Sequence, residues 1–481
     1  MIHPARIHRL NDKPARNGGF VLYWMQQSQR AEWNHALEYA IQRANGLGLP
    51  VAVVFGLMDD YPEANERHYA FMLEGLQETF QTLEKRGIGA FIGRGHPADV
   101  AIKAGREAAL IVCDMGYLRH QADWRARVAD EAGCEVVEIE SDVVVPVETV
   151  SDHAEYMART FRPKLLMRLD EFLQPVKTVP VSNAWGNPPR PGGHPSGGGD
   201  LVKNSPPGEG WLCLGKDGVG ADSLLKNLKL DRSVGAVKKL KGGTAEAKKR
   251  LNRFIAESLA VYEKHSNQPQ TDDISMLSPY LHFGQISPLY VALEIKKADA
   301  TGRFLEQLIV RRELAVNFVW FTPDYDCFSC LPDWAKLTLK NHAKDKREFI
   351  YSREQLEQSQ THDPYWNAAM TEMRVTGFMH NYMRMYWGKK VLEWSRSPEE
   401  ALETLLAINN KYFLDGRDPN SCAGVAWVFG KHDTAWKERS VFGKVRYMNA
   451  AGLKRKCDIE RYVEKVECLK GASRRVSRRL A

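Results

Sequence analysis

The chemistry in this chain is most concentrated around an arginine set among aromatic residues. Residues 365–394 read YWNAAMTEMRVTGFMHNYMRMYWGKKVLEW, and 405–430 read LLAINNKYFLDGRDPNSCAGVAWVFG. They hold Trp366, Trp387, Trp394 and Trp427, with an Asn409-Asn410 pair between. On a helix, Asn381 and Arg384 fall within about one turn of Trp387, on the same side. A guanidinium among rings needs an anion or a ligand, because an unpaired buried charge is costly. Acidic residues follow downstream, among them Asp415 in a DGRD turn. Such a wall suits a large, planar, electron-accepting cofactor. Met and aromatic residues at helical spacing also serve as plain core, and the Met residues here fit either role.

A second candidate is 271–288, TDDISMLSPYLHFGQISP. Asp272, Ser275 and Ser278 are cap-type residues, and Pro279 suits a first helical turn. Backbone N–H groups there, with hydroxyls beside them, form an anion site suited to a pyrophosphate. Ordinary helix capping is the commoner cause of the pattern. Cys327 and Cys330 form one CxxC, but Cys457 and Cys468 are too widely spaced to complete a zinc site, so no metal is expected.

The elements that must position these residues divide in two. Apolar runs at 20–24, 51–55, 89–92, 110–113 and 135–139 alternate with helical patterns at 31–45, 67–85, 97–108 and 119–131. That alternation predicts a Rossmann-like open parallel α/β sheet. No GxGxxG follows the first strand, so a dinucleotide role for this domain is unsupported. Residues 179–220 are rich in Pro and Gly and read as a linker or exposed loop, with Trp211 and Leu212 docking its far end. Beyond 224 helical patterns dominate, including 245–264 and the amphipathic 304–318, which carries Arg311, Arg312 and Glu313. We divide the chain into an α/β domain (1–175), a linker or insertion (176–222) and an all-helical domain (223–481).

With 481 residues the chain can bury a large core. A net charge of +7 is mild and fits, without requiring, a nucleic-acid partner. Basic residues cluster late, at Lys454, Arg455, Lys456, Arg474, Arg475, Arg478 and Arg479, as a solvated terminus or a DNA contact. The opening residues lack the apolar core of a leader, no apolar run is long enough to span a bilayer, and eight scattered Cys argue against a disulfide framework. A cytoplasmic protein that stays off membranes is expected.

The strings SMLSPYLHFGQISP, EQLIVRRELAVNF, HNYMRMYWGKKVLEW and YFLDGRDPNSCAGVAWVFGKHD resemble class II cyclobutane pyrimidine dimer photolyases. QRAEWNHAL and RHYAFMLEGL are similar to that class too, and the likeness runs from the first strand to about Arg446. The resemblance implies an antenna-type α/β domain joined to a helical domain that holds FAD, and light-driven electron transfer to a dimer flipped out of double-stranded DNA. Single-stranded DNA would serve as well, and the protein would act as a monomer. An antenna chromophore, deazaflavin or folate, is left open.

By position, Tyr262, Ser275, Met276, Leu277 and Ser278 would line the FAD phosphates and ribityl chain. Asn381 and Arg384 would flank the isoalloxazine, Arg384 paired to Asp415, with Asn409 toward its N5/O4 edge. Met385 and Trp427 would face the dimer, Trp436 and Arg446 would fill the gap in the duplex, and Lys431, His432 and Lys437 would meet phosphates. Trp366, Trp387 and Trp394 match the photoreduction chain, with Tyr351 and Tyr386 extending it. In a straight helix Trp366 and Trp387 would stand roughly 30 Å apart, so Gly377 is expected to break the helix and fold the segments together.

Two positions depart from the family. Gln307 stands where a Glu holds the dimer carbonyls; its amide can donate a hydrogen bond but supplies neither proton nor charge. Glu306 beside it points about 100° away on an α-helix. Arg311 stands where some relatives have Trp. Gln307 favours the alternative of a cryptochrome-like light sensor, whereas Met385, Trp427, Trp436 and Arg446 favour repair. The paired His of a (6-4) photolyase has no counterpart at matching positions.

Overall fold

The computed structural model describes residues 1–186, 210–214, 220–298 and 302–480, with side chains as far as 469. Most of the Pro/Gly-rich segment and the side chains of the last four arginines of the basic tail lie outside what is described. Seven strands form one sheet: β1 (Ile7–Arg9), β2 (Phe20–Trp24), β3 (Val51–Leu57), β4 (Gly89–Arg94), β5 (Ala108–Asp114), β6 (Glu135–Ile139) and β7 (Trp211–Leu212). Their order is β1-β6-β5-β2-β3-β4-β7. The five strands expected from sequence, β2 to β6, pair in parallel. The sheet as a whole is mixed, because β1 and β7 add antiparallel edges that are too short to carry a period. Trp211 does dock the far end of the linker, pairing with Gly93.

Helices α1 (His35–Leu47) and α2 (Glu66–Lys85) pack on one face, α3 (Pro97–Gly105) and α4 (Arg119–Glu131) on the other. Helix α1 starts later than the apolar pattern suggests, because the Asn34 side chain caps it by accepting from the Leu37 N–H at 3.0 Å. Strand order reverses between β2 and β5, the place where open α/β sheets form a crevice. Asp114 ends β5 there. Its carboxylate accepts the N–H groups of Gln26, Gln27 and Ser28 at 2.9–3.1 Å and the Tyr23 hydroxyl at 2.6 Å.

Helix α5 (Ala158–Phe172) follows, and its Phe161 and Leu165 share a core with Phe254, Phe304 and Leu308 of the helical half. Polar ties reinforce that junction. Glu313 accepts the Val144 and Val145 N–H groups at 2.5 and 3.2 Å, and Arg67 donates to the Met373 and Tyr412 carbonyls at 3.1 and 2.6 Å. The helix expected over 245–264 stops at Glu257, giving α6 (Thr244–Glu257) and then two short turns, Leu259–Val261 and Tyr262–His265. The segment 304–318 is not one α-helix either. A π-helical stretch, Glu306–Arg311, precedes α7 (Arg312–Phe321).

The Trp-bearing stretch folds as α8 (Pro364–Thr376) and α9 (Asn381–Trp394), followed by α10 (Pro398–Tyr412) and α11 (Pro419–Val428). Gly377 ends α8 with φ +68°, a left-handed conformation that side chains resist. The turn lets α9 fold back, so the Trp366 indole N–H donates to the Trp387 carbonyl at 3.0 Å, and the Trp366 and Trp394 ring centres lie 5.7 Å apart. A Cβ at Gly377 would stand 2.9 Å from Leu414 Cγ. Gly377→Ala should therefore destabilise the fold by about 1–2 kcal/mol, the left-handed penalty with some repacking; denaturant unfolding checks this, and an unchanged midpoint would remove the turn from the account.

Candidate flavin and dimer site

A cavity of about 410 Å³ opens in the helical half, within the size range of small-molecule sites. Tyr262 and the run Ser275, Met276, Leu277, Ser278 border it from one side; Gln307 and Arg311 border it from the π-helical stretch. Helix α9 contributes Asn381, Arg384, Met385 and Trp387; Asn409, Asp415 and Trp427 complete the set. Residues spread over some 165 positions are thus brought to one space, as their types and the resemblance led us to expect.

Arg384 is anchored three ways. Its Nη2 donates to both Asp415 carboxylate oxygens at 2.9 Å, its Nε donates to the Met379 carbonyl at 3.1 Å, and the guanidinium lies 3.9 Å from the Phe413 ring centre. Asn409 is buried, its amide nitrogen donating to Asn410 Oδ1 at 3.0 Å. Met276 takes φ +52°, a strained setting for a side-chain-bearing residue, just before the Ser278 turn.

Gln307 and Arg311 lie on the exposed side of the cavity. Arg311 sits 5.4 Å from the Trp427 ring centre and pairs through Nε with Glu306 at 3.1 Å, a spacing of five that the π geometry favours. Glu306 also takes two bonds from Arg162, at 2.6 and 2.9 Å, so it is committed away from the cavity.

Trp366 and Trp394 do not touch the cavity; they lie buried behind Trp387. Trp436 and Arg446 lie on a separate surface hairpin, Trp436 half-exposed and the Arg446 guanidinium 5.1 Å from its ring centre. Lys431 departs from its expected role. Its ammonium turns inward, donating to the Cys330 carbonyl at 3.3 Å and lying 4.4 Å from the Phe318 ring centre. His432 is buried, its Nδ1 bonded to the Tyr156 carbonyl at 2.9 Å, so neither side chain is presented to a phosphate.

Among the cavity residues that the sequence reading did not mark are His282 and His380. His282 pairs with Asp418 at 3.1 Å and also borders a smaller cavity of about 70 Å³ at the β2/β3 carboxyl ends. His380 is only 2% exposed. Its Nδ1 accepts from the Tyr382 N–H at 3.2 Å, which in a neutral ring leaves the proton on Nε2, a buried donor with no protein partner among the described residues. Trp387 Nε1 is in the same condition. Such donors are costly unless a bound group satisfies them. A His at an N-cap carries no period, though its place between Gly377 and Asn381 was a signal. Among the described residues no group of three or more His, Cys, Asp or Glu could hold a metal, and no helix is long and apolar enough to cross a membrane.

The fold and cavity describe a helical half with a ligand-sized cavity, braced by an α/β half. The DNA photolyase family model matches residues 21–181. The deoxyribodipyrimidine photo-lyase of Methanothermobacter thermautotrophicus is 46% identical over 98% of this chain and 99% of its own, and that of Potorous tridactylus 40% identical over 92% and 81%. The chain belongs to the DNA photolyase family. A bacterial class III photolyase from Agrobacterium tumefaciens, 20% identical, shares the fold with a TM-score of 0.67 over 94% of this chain and 87% of that one.

Burial pushes His380 and His432 down to about 4. Unfolded, both would titrate near 6.5, so the unfolded chain binds more protons between pH 6.5 and 4. Their stability contribution is full above 6.5 and drains away as pH falls. His380→Gln should shrink the stability lost between pH 7 and pH 5 by about 2 kcal/mol, measured by denaturant unfolding of both proteins at both pH values; an identical loss would mean that His380 is not held neutral.

Proposed function

We propose that this protein repairs cyclobutane pyrimidine dimers in DNA with light, using FAD held in the helical half. One observation carries the reading: the residues matched to flavin and those matched to the dimer border a single cavity, with the Arg384–Asp415 pair on its wall. FAD fits the donor set. The Ser275–Ser278 turn offers hydroxyls and N–H groups to phosphates, and His380 and Trp387 hold unpartnered buried donors beside it.

When bound, FAD supplies a light-excited one-electron donor. Arg384, fixed by Asp415, Met379 and Phe413, would hold the ring by charge and hydrogen bonding, and Asn381 and Asn409 on the same cavity wall would hold it too. Met385 and Trp427 pack against the flipped dimer, Arg311 stacks at the open side, and the Gln307 amide donates to a dimer carbonyl. Trp387, Trp366 and Trp394 pass electrons inward to the cofactor. Trp436 and Arg446 fill the gap in the duplex, and the enzyme works as a monomer on double- or single-stranded DNA. We place any antenna chromophore, deazaflavin or folate, at the smaller cavity, which shares His282 with the larger one and would have to widen to admit it.

Repair quantum yields on one oligonucleotide, with fully reduced flavin, test this directly. A neutral hydrogen bond contributes about 0.5–1.5 kcal/mol, so Gln307→Leu should lower the yield while Gln307→Glu preserves or raises it. A wild-type yield near zero would instead favour the cryptochrome-like sensor, which the neutral Gln307 alone supports.

Damage recognition gives a second test. Stacking into a gap is worth about 1–3 kcal/mol per base. Trp436→Ala should therefore weaken binding to dimer-containing duplex more than to dimer-containing single strand, at one stated salt concentration. Equal losses on both would assign Trp436 to general DNA affinity.

A further inference from the structure

Trp394, which meets Trp366 edge-on, also meets a polar pair. The Tyr351 ring lies edge-on to Trp394, with centres 5.4 Å apart. Its hydroxyl is 2.7 Å from His362 Nδ1 and accepts the His362 backbone N–H at 3.0 Å. The phenol's own proton is thereby free for Nδ1, within the reach a general base requires. The imidazole is pinned as well: it stacks on Phe349 at 3.8 Å and meets Trp394 edge-on at 5.3 Å. His362 is exposed, so a proton taken up there can pass to water.

We propose that His362 is the proton acceptor at the outer end of the electron chain, so that Tyr351 gives up an electron and a proton together. The proposal rests on reading Trp387, Trp366 and Trp394, extended by Tyr351, as the route to FAD. When light-driven reduction of FAD leaves a hole on Trp394, Tyr351 returns one electron to it. The Tyr351 O–H bond breaks as an N–H bond forms at His362 Nδ1. Trp394 is restored, Tyr351 becomes a neutral phenoxyl radical and His362 an imidazolium. A thiol reductant in solution then returns one electron and one proton. Without a base at the hydroxyl, oxidation would produce a phenol radical cation, a far less accessible species, and the hole would go back the way it came.

Tyr386 marks the contrast. It too has a proton partner, Asp363, but both are buried, and the other Asp363 oxygen is occupied by the Tyr365 and Trp366 N–H groups at 2.9 and 3.1 Å. Its proton faces a buried carboxylate and not an exposed ring. Neighbouring positions 362 and 363 thus hold two phenols in opposite conditions.

Flash photolysis of the full-length protein with oxidised FAD bound tests the assignment, reading tryptophan and tyrosyl radical absorbance separately. In wild type the tyrosyl signal should grow as the tryptophan signal decays, more slowly in D₂O than in H₂O. His362→Gln keeps a polar side chain but no usable base, and should slow tyrosyl formation by about 10²-fold, the low end of general-base contributions; Tyr351→Phe should abolish it. Because His362 is exposed, added imidazole should restore the tyrosyl signal in His362→Ala. Tyr386→Phe should leave it intact. Tyrosyl formation at the wild-type rate in His362→Gln, or its loss only in Tyr386→Phe, would overturn the proposal. Failure of the underlying route reads differently: Trp387→Phe would then leave both radical signals unchanged.

Discussion

A guanidinium beside an apolar wall must be neutralised or expelled, and the helical half is arranged around the first outcome. Arg384 of α9 is held by the Met379 carbonyl from one segment and by Asp415 and the Phe413 ring from another. Fixing one group of α9 against two further segments fixes all three against each other. Helix α9, the Phe378–His380 turn and the loop after α10 therefore share a single geometry, and the cavity wall is that geometry. A pair of this kind gives little net stability over an apolar substitute, yet removing one partner costs on the order of 3–5 kcal/mol. Its value lies in specifying one arrangement.

The α/β half extends the same constraint outward. The Arg67 guanidinium reaches the carbonyls that end α8 and α10, Met373 and Tyr412, so the helix ends flanking the Gly377 turn are tied to α2. Gly388 permits the other close approach: a Cβ there would fall 2.5 Å from Val428 Cγ2, so the Val428 side chain of α11 packs directly on the α9 backbone. On the next residue, Lys389 is fully buried and donates to the Val428 carbonyl at the end of α11. Burial lowers its ammonium to about 7, while the carbonyl end of a helix favours the charge. Trp427 sits on that last turn, so its position descends from the α9 sequence as much as from its own.

What the sequence reveals follows from how far a signal extends. Five strands and four helices of the first half were legible because each repeats a period over several residues. Strands β1 and β7 were not, with three and two residues. The π-helical stretch was invisible for another reason: it keeps the apolar spacing of a helix nearly intact and changes only which neighbours meet, so the Glu306–Arg311 contact could not be anticipated. Lys431 and His432 were expected at phosphates from the resemblance alone. Gly430 at φ +105° and His432 at φ +60° turn the loop after α11 inward, and backbone handedness at two nearby sites leaves little trace in residue type. The flavin-side residues were legible mainly through family strings, since Ser275–Ser278 alone looks like any capped turn.

The exposed side of the cavity joins these levels. Replacing a carboxylate by Gln307 removes one negative charge where a dimer would rest, but Glu306, one position earlier, keeps a carboxylate close by. The π turn places Arg311 between that carboxylate and Trp427, and Arg162 from α5 shares it. Hydrogen bonds from both arginines hold the Glu306 carboxyl below its usual range even though burial alone would raise it. Two guanidiniums thus share one carboxylate beside a neutral amide. The local balance is net positive, and an excess electron on a bound pyrimidine would be attracted by it more than by a Glu at 307. On the proposed dimer-binding role, Gln307 would exchange an ionised or proton-donating contact for a more positive field, and the π-helical stretch is what lets one arginine serve both the carboxylate behind it and the ring in front.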